Sequence, residues 1–131
     1  MPIDPNTLAE ARRLVHAFGM GNFVPKSAAP AGSGELLLPI ELIDPPVRGK
    51  GVPNFNKPDP DRPGVVRSSS ILAAIRDDVA LPPLLVYRRE GHQRYELRDG
   101  FHRLHMAAAL GFTHVHADLA SWVPGSFVPT L

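Results

Sequence analysis

Apolar and polar positions change their spacing once between residues 94 and 111. Residues 94–98 alternate between charged and apolar side chains, which is the two-residue period of a strand with one covered face. From Phe101 the apolar positions recur at steps of three and four residues, and this spacing predicts a short helix that ends before Gly111. The dipeptide Asp99-Gly100 stands between the two patterns and favours a tight turn. The stretch therefore predicts a strand, a turn and a helix in that order.

Two further segments carry helical spacing. Residues 4–18 have one apolar stripe, and Thr7 and Glu10 stand at the spacing of a capping box, in which two side chains satisfy backbone groups at a helix start. Residues 67–79 begin with a run of serines, whose hydroxyl groups can cap backbone N–H groups, and continue with an apolar face. Both segments are therefore predicted as helices.

Short apolar runs predict the strands. Residues 36–43 are interrupted by Pro39, which a central strand does not tolerate easily, so this run is expected at the edge of a sheet. Residues 84–88 and 95–97 are joined by a glycine-containing turn and are expected to form a hairpin. Residues 113–119 alternate between apolar and polar side chains, which predicts a last strand.

Composition divides the chain into parts. Residues 20–35 are rich in glycine, alanine, serine and proline, which is typical of a linker. Residues 44–66 are rich in proline and lack periodicity, and loops of this length inside a compact domain are usually functional or disordered. The predicted division is an N-terminal helix at 1–19, a linker at 20–35, a domain at 36–120 and an irregular tail at 121–131.

Overall composition narrows the class of protein. The chain has 131 residues and a net charge of +1, so it fits one globular domain and gives no bulk electrostatic reason to expect nucleic acid as a partner. It contains no cysteine, which excludes thiol catalysis and thiolate metal sites. No apolar run approaches the roughly twenty residues of a membrane span, and the N-terminus lacks a signal-peptide pattern. The cytoplasm is the expected location, with no membrane partner.

The start of the helix at Phe101 is a candidate anion site. The first turn of a helix leaves backbone N–H groups without partners, and the helix dipole makes this end partly positive, which suits phosphate. His102 and Arg103 lie in this turn, and Gly100 lets the backbone come close to a ligand. A cation here is unfavourable for helix stability alone, so Arg103 favours a binding site over a solvated turn. Asp99 is expected to bind a metal, accept a proton or cap the helix.

Other side chains extend this hypothesis. Arg67 and Ser70 stand at the start of the earlier helix, which would also suit a phosphate, although serines at a helix start are mostly caps. Arg48 and Lys50, in the proline-rich loop, either close over an anionic ligand or lie at a solvated tip, and the sequence favours neither.

Pairs of histidines offer a different chemistry. His102 and His105 share a predicted helix face, and His114 and His116 share a strand face, as pairs of metal ligands do. No carboxylate-plus-histidine motif accompanies them, so solvated histidines are the favoured interpretation and no metal site is predicted.

The order of these segments resembles one protein family. It runs LPIELIDPPV, RSSSILAAI, LPPLLVY, RYELRDG, GFHRLHMAAALG and HVHADL, and its most specific part is the turn from Asp99 to Arg103 with the alanine-rich helix that follows. This order is similar to that of the ParB/sulfiredoxin-like superfamily, which includes ParB N-terminal domains, sulfiredoxins and free serine kinases. The resemblance covers about residues 36–120. It implies a small α/β (α+β) fold, in which a mixed sheet with short helices binds a nucleotide at two helix starts, here with an added N-terminal helix.

The same turn separates this chain from two branches of the family. In sulfiredoxins a Gly-Cys-His-Arg turn binds ATP phosphate and the cysteine does the chemistry, whereas Phe101 holds that position here and the chain has no thiol. In ParB proteins a Gly-Glu-Arg-Arg turn binds CTP phosphates, and the match here is limited to Gly100 and Arg103. No helix-turn-helix segment is expected, because the sequence ends at Leu131. Neither a sulfiredoxin reaction nor chromosome partition is therefore expected.

The Asp-Gly-x-His-Arg form resembles the kinase-like members, in which an acidic residue supports phosphoryl transfer. The resemblance implies a nucleoside triphosphate, ATP or CTP, with Mg²⁺, and a phosphotransferase or NTPase activity. Asp99 is the first catalytic candidate, and Glu41 and Asp44 are weaker ones as a general base or metal ligand. The expected phosphate contacts are Gly100, His102, Arg103, Arg67 and Ser70, together with Arg48 and Lys50 of the loop.

A non-catalytic interaction module of the same fold is the alternative. The N-terminal helix packs on its own domain, on a second copy of the chain or on a partner protein, and the first of these is the favoured expectation. Trp122 and Phe127, in the tail, lie either on the core or at an interface. A homodimer or a protein partner held by the N-terminal helix would support this alternative.

Overall fold

A computed structural model describes residues 2–46 and 53–120, and these ranges contain three α-helices and five strands. Each segment that the spacing predicts as a helix is helical. The elements are α1 (Pro5–Ala17), β1 (Leu36–Pro39), β2 (Ile43–Asp44), α2 (Arg67–Arg76), β3 (Leu84–Arg88), β4 (Tyr95–Asp99), α3 (Phe101–Leu110) and β5 (His114–Leu119), with a 3₁₀ turn at Ile40–Leu42 between β1 and β2.

The strands form one mixed sheet in the order β1-β5-β3-β4-β2. Antiparallel pairing joins β1 to β5 and β3 to β4, whereas β5 with β3 and β4 with β2 run parallel. In β3 and β5 the side chains alternate between buried and more exposed positions, so one face of the sheet covers the core. This architecture confirms the predicted α/β (α+β) class, with a mixed sheet, short helices and an N-terminal helix.

The apolar run predicted as a single edge strand is two strands, and the prediction is wrong in this respect. Pro39 ends β1 at one edge of the sheet, as its missing N–H group requires, while β2 lies at the other edge. Ile40, the first residue of the 3₁₀ turn, and Ile43, which follows the turn, are buried. The four steps between Pro39 and Ile43 span at most about 14 Å, whereas the outer strands of a flat five-stranded sheet lie about 19 Å apart. The sheet must therefore curl.

Helix α1 belongs to the core of the domain. Its N-cap is Asp4, whose Oδ2 accepts hydrogen bonds from Thr7 N at 3.0 Å and from Thr7 Oγ1 at 2.9 Å. The predicted capping box of Thr7 and Glu10 is therefore wrong, because Thr7 lies inside the first turn. Ala11 and Val15 are buried, and the helix packs along α3. The favoured expectation that this helix packs on its own chain is confirmed.

Residues 20–35 contain no helix and no strand, and they follow the surface of the domain. Thr113 N and His114 N donate hydrogen bonds to Ala28 O at 3.0 and 2.9 Å, and Leu81 N donates to Ala31 O at 2.9 Å. The segment thus connects α1 to β1 while it is held to the strand β5 and to the loop before β3.

Two predictions fall outside the described residues. Arg48 and Lys50 lie in one gap, and the tail with Trp122 and Phe127 lies in the other. Within the residues that are described, every helix is too short or too polar to cross a lipid bilayer.

Candidate functional site

The β4–α3 turn places the start of α3 in the wall of a surface cavity. Gly100 is the N-cap of α3 and has a φ of +109°, a left-handed conformation that other residues resist. A Cβ atom at this position would lie 2.7 Å from Leu84 Cγ and 3.3 Å from Arg103 Nη2, so glycine is also needed for space. Leu104 N donates to Gly100 O at 2.9 Å. Among the described residues, no side-chain hydrogen bond caps the start of α3.

Helix α2 starts in a similar way. Its N-cap is Val66, and within the described ranges no side chain caps its first turn. The prediction that the serines cap this helix is wrong, because no side-chain hydrogen bond from the described residues caps its start and two of the three serines bind the preceding loop. Ser68 Oγ donates to Phe55 O at 3.2 Å, and Ser70 Oγ donates to Asp59 Oδ2 at 2.6 Å. The helix is also shorter than predicted, because Asp78 adopts a φ of 56° and ends it.

The two helix starts meet at a cavity of about 220 Å³. Basic side chains dominate its charged lining, and Asp99 stands among them. A neighbouring, more open cavity of about 710 Å³ shares part of the wall and adds Asp59, Arg62 and Ser70. The first cavity is lined by Pro46, Lys57, Arg67, Ile71, Leu97, Arg98, Asp99, Gly100, Phe101, His102 and Arg103.

Arg103 is held in the wall between the two cavities. Its side chain is 15% exposed, and Nη1 donates to Pro82 O at 2.7 Å and to Pro83 O at 3.0 Å. Burial lowers the pKa of Arg103, the positive charge of Arg67 lowers it further, and Asp99, 3.4 Å from Nη2, opposes both effects. The guanidinium group stays charged nevertheless, because the pKa of arginine is so high. Two cations that repel each other in this way create a positive potential, which a bound anion would relieve.

Asp59 gives the second cavity a carboxylate. The hydrogen bond from Ser70 lowers the pKa of Asp59, and the backbone N–H of Asp61 and the charges of Arg62 and Arg67 act in the same direction. Asp59 is therefore ionised at neutral pH and stands on the same cavity wall as Arg67 and Arg103.

The first turn of α3 packs against a cluster of aromatic and imidazole rings. Phe55, from the loop before α2, lies 5.6 Å from each of Phe101, His102 and His105, measured between ring centroids. His105 Nδ1 donates to Phe101 O at 2.6 Å. His102 is only 6% exposed and lines the first cavity, and its predicted phosphate contact stays a prediction.

The structure brings most of the predicted site residues together. Gly100, His102, Arg103, Arg67 and Asp99 line the first cavity, and Ser70 lines the second.

Glu41 lies elsewhere. It is exposed in the 3₁₀ turn before β2, where its carbonyl oxygen accepts a hydrogen bond from Arg94 Nη2 at 2.8 Å. Strand β2 pairs with the beginning of β4 at Tyr95, whereas Asp99 ends β4, about 13 Å further along the strand. Glu41 therefore does not share the cavity with Asp99.

Lys57 and Asp59 line the cavities but were not predicted as site residues. Both lie in the proline-rich loop, which has no periodicity from which a position could be predicted. Their placement depends on long-range contacts, since Lys57 O accepts a hydrogen bond from Arg67 N at 2.9 Å and Asp59 binds Ser70.

The histidine pairs that were considered as metal ligands lie apart, and the favoured interpretation of solvated histidines is wrong for His102 and His105. His102 and His105 are buried in the ring cluster, whereas His114 lies on β5 with its Nδ1 2.8 Å from Thr113 Oγ1. Within residues 2–46 and 53–120, no group of three or more histidine, cysteine, aspartate or glutamate side chains is placed to hold a metal ion.

Comparisons with protein-family models, with curated proteins and with solved structures found no match to this chain. The resemblance to the ParB/sulfiredoxin-like superfamily therefore stays a prediction, based on the motifs of residues 36–120.

Proposed function

We propose that this chain binds the phosphates of a nucleotide in the cavity between the starts of α2 and α3. The observation that carries the proposal is that two helix starts without side-chain caps among the described residues face one basic cavity. The helix dipole favours an anion at each start. Arg67 and Lys57 supply positive charge at the cavity wall, and Gly100 lets the phosphate approach the backbone of α3.

The two cavities together suit a ligand larger than phosphate. The first has a volume of about 220 Å³, below the range of about 300–1,000 Å³ that is common for small-molecule sites, and is sized for phosphates. The adjoining cavity offers room for a ribose and a base. The resemblance of the Asp-Gly-x-His-Arg turn to the kinase-like members supports a nucleoside triphosphate, ATP or CTP with Mg²⁺. Such a ligand also supports a cytoplasmic location.

A phosphotransferase or NTPase activity is part of the proposal. Phosphoryl transfer depends mainly on positioning and charge stabilisation, so it needs cations around the phosphates and a well-placed carboxylate. Asp99 is the first candidate, because its side chain is 75% exposed at the cavity wall and lies 3.4 Å from Arg103. Asp59 is the second candidate and takes the role that the sequence analysis gave to Glu41.

Arg67→Ala tests the proposal with the least damage to the fold. Arg103 also carries structural hydrogen bonds, so its removal would change the fold and the site together, whereas no such bond from the Arg67 side chain is seen in the described part of the chain. We expect ATP or CTP with Mg²⁺ to raise the melting temperature of the wild type. A concentration of about a hundred times Kd contributes about 2.7 kcal/mol. The shift should vanish in Arg67→Ala and persist in Arg12→Ala, which removes an exposed arginine of α1.

The result also separates the two functions. If ATP, ADP, CTP and GTP all leave the wild-type melting temperature unchanged, the nucleotide proposal is wrong. The chain would then be assigned as a non-catalytic interaction module, and its homodimer or partner contacts would be sought on the exposed face of α1 at Arg12, Arg13 and His16.

A further inference from the structure

Glu10 connects α1 to the loop that precedes α2. Its Oε2 accepts a hydrogen bond from Asn54 N, and its Oε1 accepts one from Asn54 Nδ2, both at 2.9 Å. Asn54 is 9% exposed, so this two-fold contact lies mostly away from water. Hydrogen bonds to a carboxylate are stronger than those between neutral groups, and the paired geometry fixes the direction of the loop backbone at this point.

The loop residues that follow Asn54 are tied to the two helix starts. Phe55 is 2% exposed, and its ring packs on the ring of Phe101 in the first turn of α3. The carbonyl of Phe55 accepts a hydrogen bond from Ser68 Oγ of α2. Two residues later, Lys57 O accepts a hydrogen bond from Arg67 N, and the Lys57 side chain lines the first cavity. The loop at 54–57 thus connects α1 to the cavity, in addition to the packing of α1 along α3.

We propose that Glu10 is a positioning residue, which holds the loop at 54–57 so that Lys57 stands in the wall of the anion cavity. The N-terminal helix is then part of the binding site, and ligand affinity is coupled to the docking of α1. The inference about affinity rests on the proposed nucleotide function. The geometric part, that Glu10 fixes the loop, does not.

An exchange of the two side-chain groups tests the contact. Asn54→Asp places a second carboxylate against Glu10 and breaks the pair. The double variant combines Glu10→Gln with Asn54→Asp. The amide NH₂ group at position 10 then donates to the carboxylate at position 54, and the amide oxygen at position 10 accepts from the backbone N–H of residue 54. The same contact is restored with donor and acceptor exchanged. Glu90→Gln, in the exposed turn between β3 and β4, is the matched control.

We expect Asn54→Asp to bind ATP with Mg²⁺, CTP with Mg²⁺ or pyrophosphate about tenfold more weakly than the wild type, and the double variant to recover to within about twofold. If Glu10 acts through Lys57, Asn54→Asp adds no further loss in a Lys57→Ala background. A purely structural role would add the two losses. The proposal is overturned if a folded Asn54→Asp protein keeps the wild-type affinity, or if the double variant does not recover it. It is also overturned if the losses of affinity from Asn54→Asp and Lys57→Ala add together.

Hydrogen–deuterium exchange separates this inference from the proposed function. Asn54→Asp should speed exchange at the amides of residues 54–57 and at Arg67 N, and the double variant should restore the wild-type rates. If the wild type binds none of the three probes, the nucleotide function is wrong. Hydrogen exchange alone then decides whether Glu10 positions the loop, and unchanged exchange rates in Asn54→Asp would overturn that role. If Asn54→Asp does not fold, Glu10→Ala replaces it in both measurements, with the same expected loss of affinity and faster exchange.

Discussion

Gly100→Ala tests whether the α3 start depends on a residue without a side chain. The φ of +109° is unfavourable for alanine, and the added Cβ would lie 2.7 Å from Leu84 Cγ. Leu84 is 4% exposed in the core, so it has little room to move away. The substitution therefore combines backbone strain with overpacking.

Gly91→Ala separates these two costs. Gly91 has a φ of +80°, but a Cβ there would meet nothing within 4 Å, so this variant suffers backbone strain alone. We expect it to lose about 1–2 kcal/mol of unfolding free energy. Gly100→Ala should lose about 1–3 kcal/mol more, because of the collision with Leu84. The gain from reduced unfolded-state entropy is common to both variants and cancels in the comparison.

Thermal and urea unfolding of the two variants measure the difference in their unfolding free energies. An additional loss of about 2 kcal/mol corresponds to a melting temperature lower by roughly 6–12 °C for a domain of this size. The same variant should also weaken nucleotide binding, because the backbone of Gly100 lines the cavity. If Gly100→Ala is no less stable than Gly91→Ala, the turn adapts to a side chain, and the close approach of β3 to this turn is not a constraint.

Two further predictions concern charged groups. Arg103→Ala should lower the free energy of unfolding by roughly 2 kcal/mol, since the carbonyls of Pro82 and Pro83 lose a charged donor. Arg103→Lys should recover only part of this stability. An unchanged urea midpoint in Arg103→Ala would contradict the prediction. The hydrogen bonds from Arg94 hold the pKa of Asp44 below its ordinary 3.8. The ionised carboxylate therefore stabilises the fold at pH values above 3.8, and this stabilisation is lost as the pH falls through the lowered pKa of the folded state. Urea unfolding from about pH 6 to about pH 2 should therefore show a flatter acid decline for Asp44→Asn than for the wild type, and parallel curves would argue against the ion pair.

Local chemistry explains the predictions that succeeded. The strand, turn and helix around Gly100 depend on residue spacing and on one glycine, and both are visible within a short window of sequence. The strand at 84–88 and the helices α1 and α2 follow from similar patterns, with errors of a few residues at their ends. The caps were predicted wrongly, because the side chains at positions 10, 68 and 70 bind distant loop residues instead of their own helix ends.

By itself, the sequence determined the three described helices, the strands after α2 and the glycine turn that starts α3, since these depend on neighbours a few residues apart. Only the tertiary structure decided that the start of α2 faces the same cavity and that Lys57 stands in its wall. It also decided that Glu41 lies apart and that Glu10 reaches the loop at Asn54. The physical reason is that contacts between residues far apart in sequence depend on how the sheet curls and how the helices pack along the sheet. The spacing of apolar and polar residues does not encode this packing.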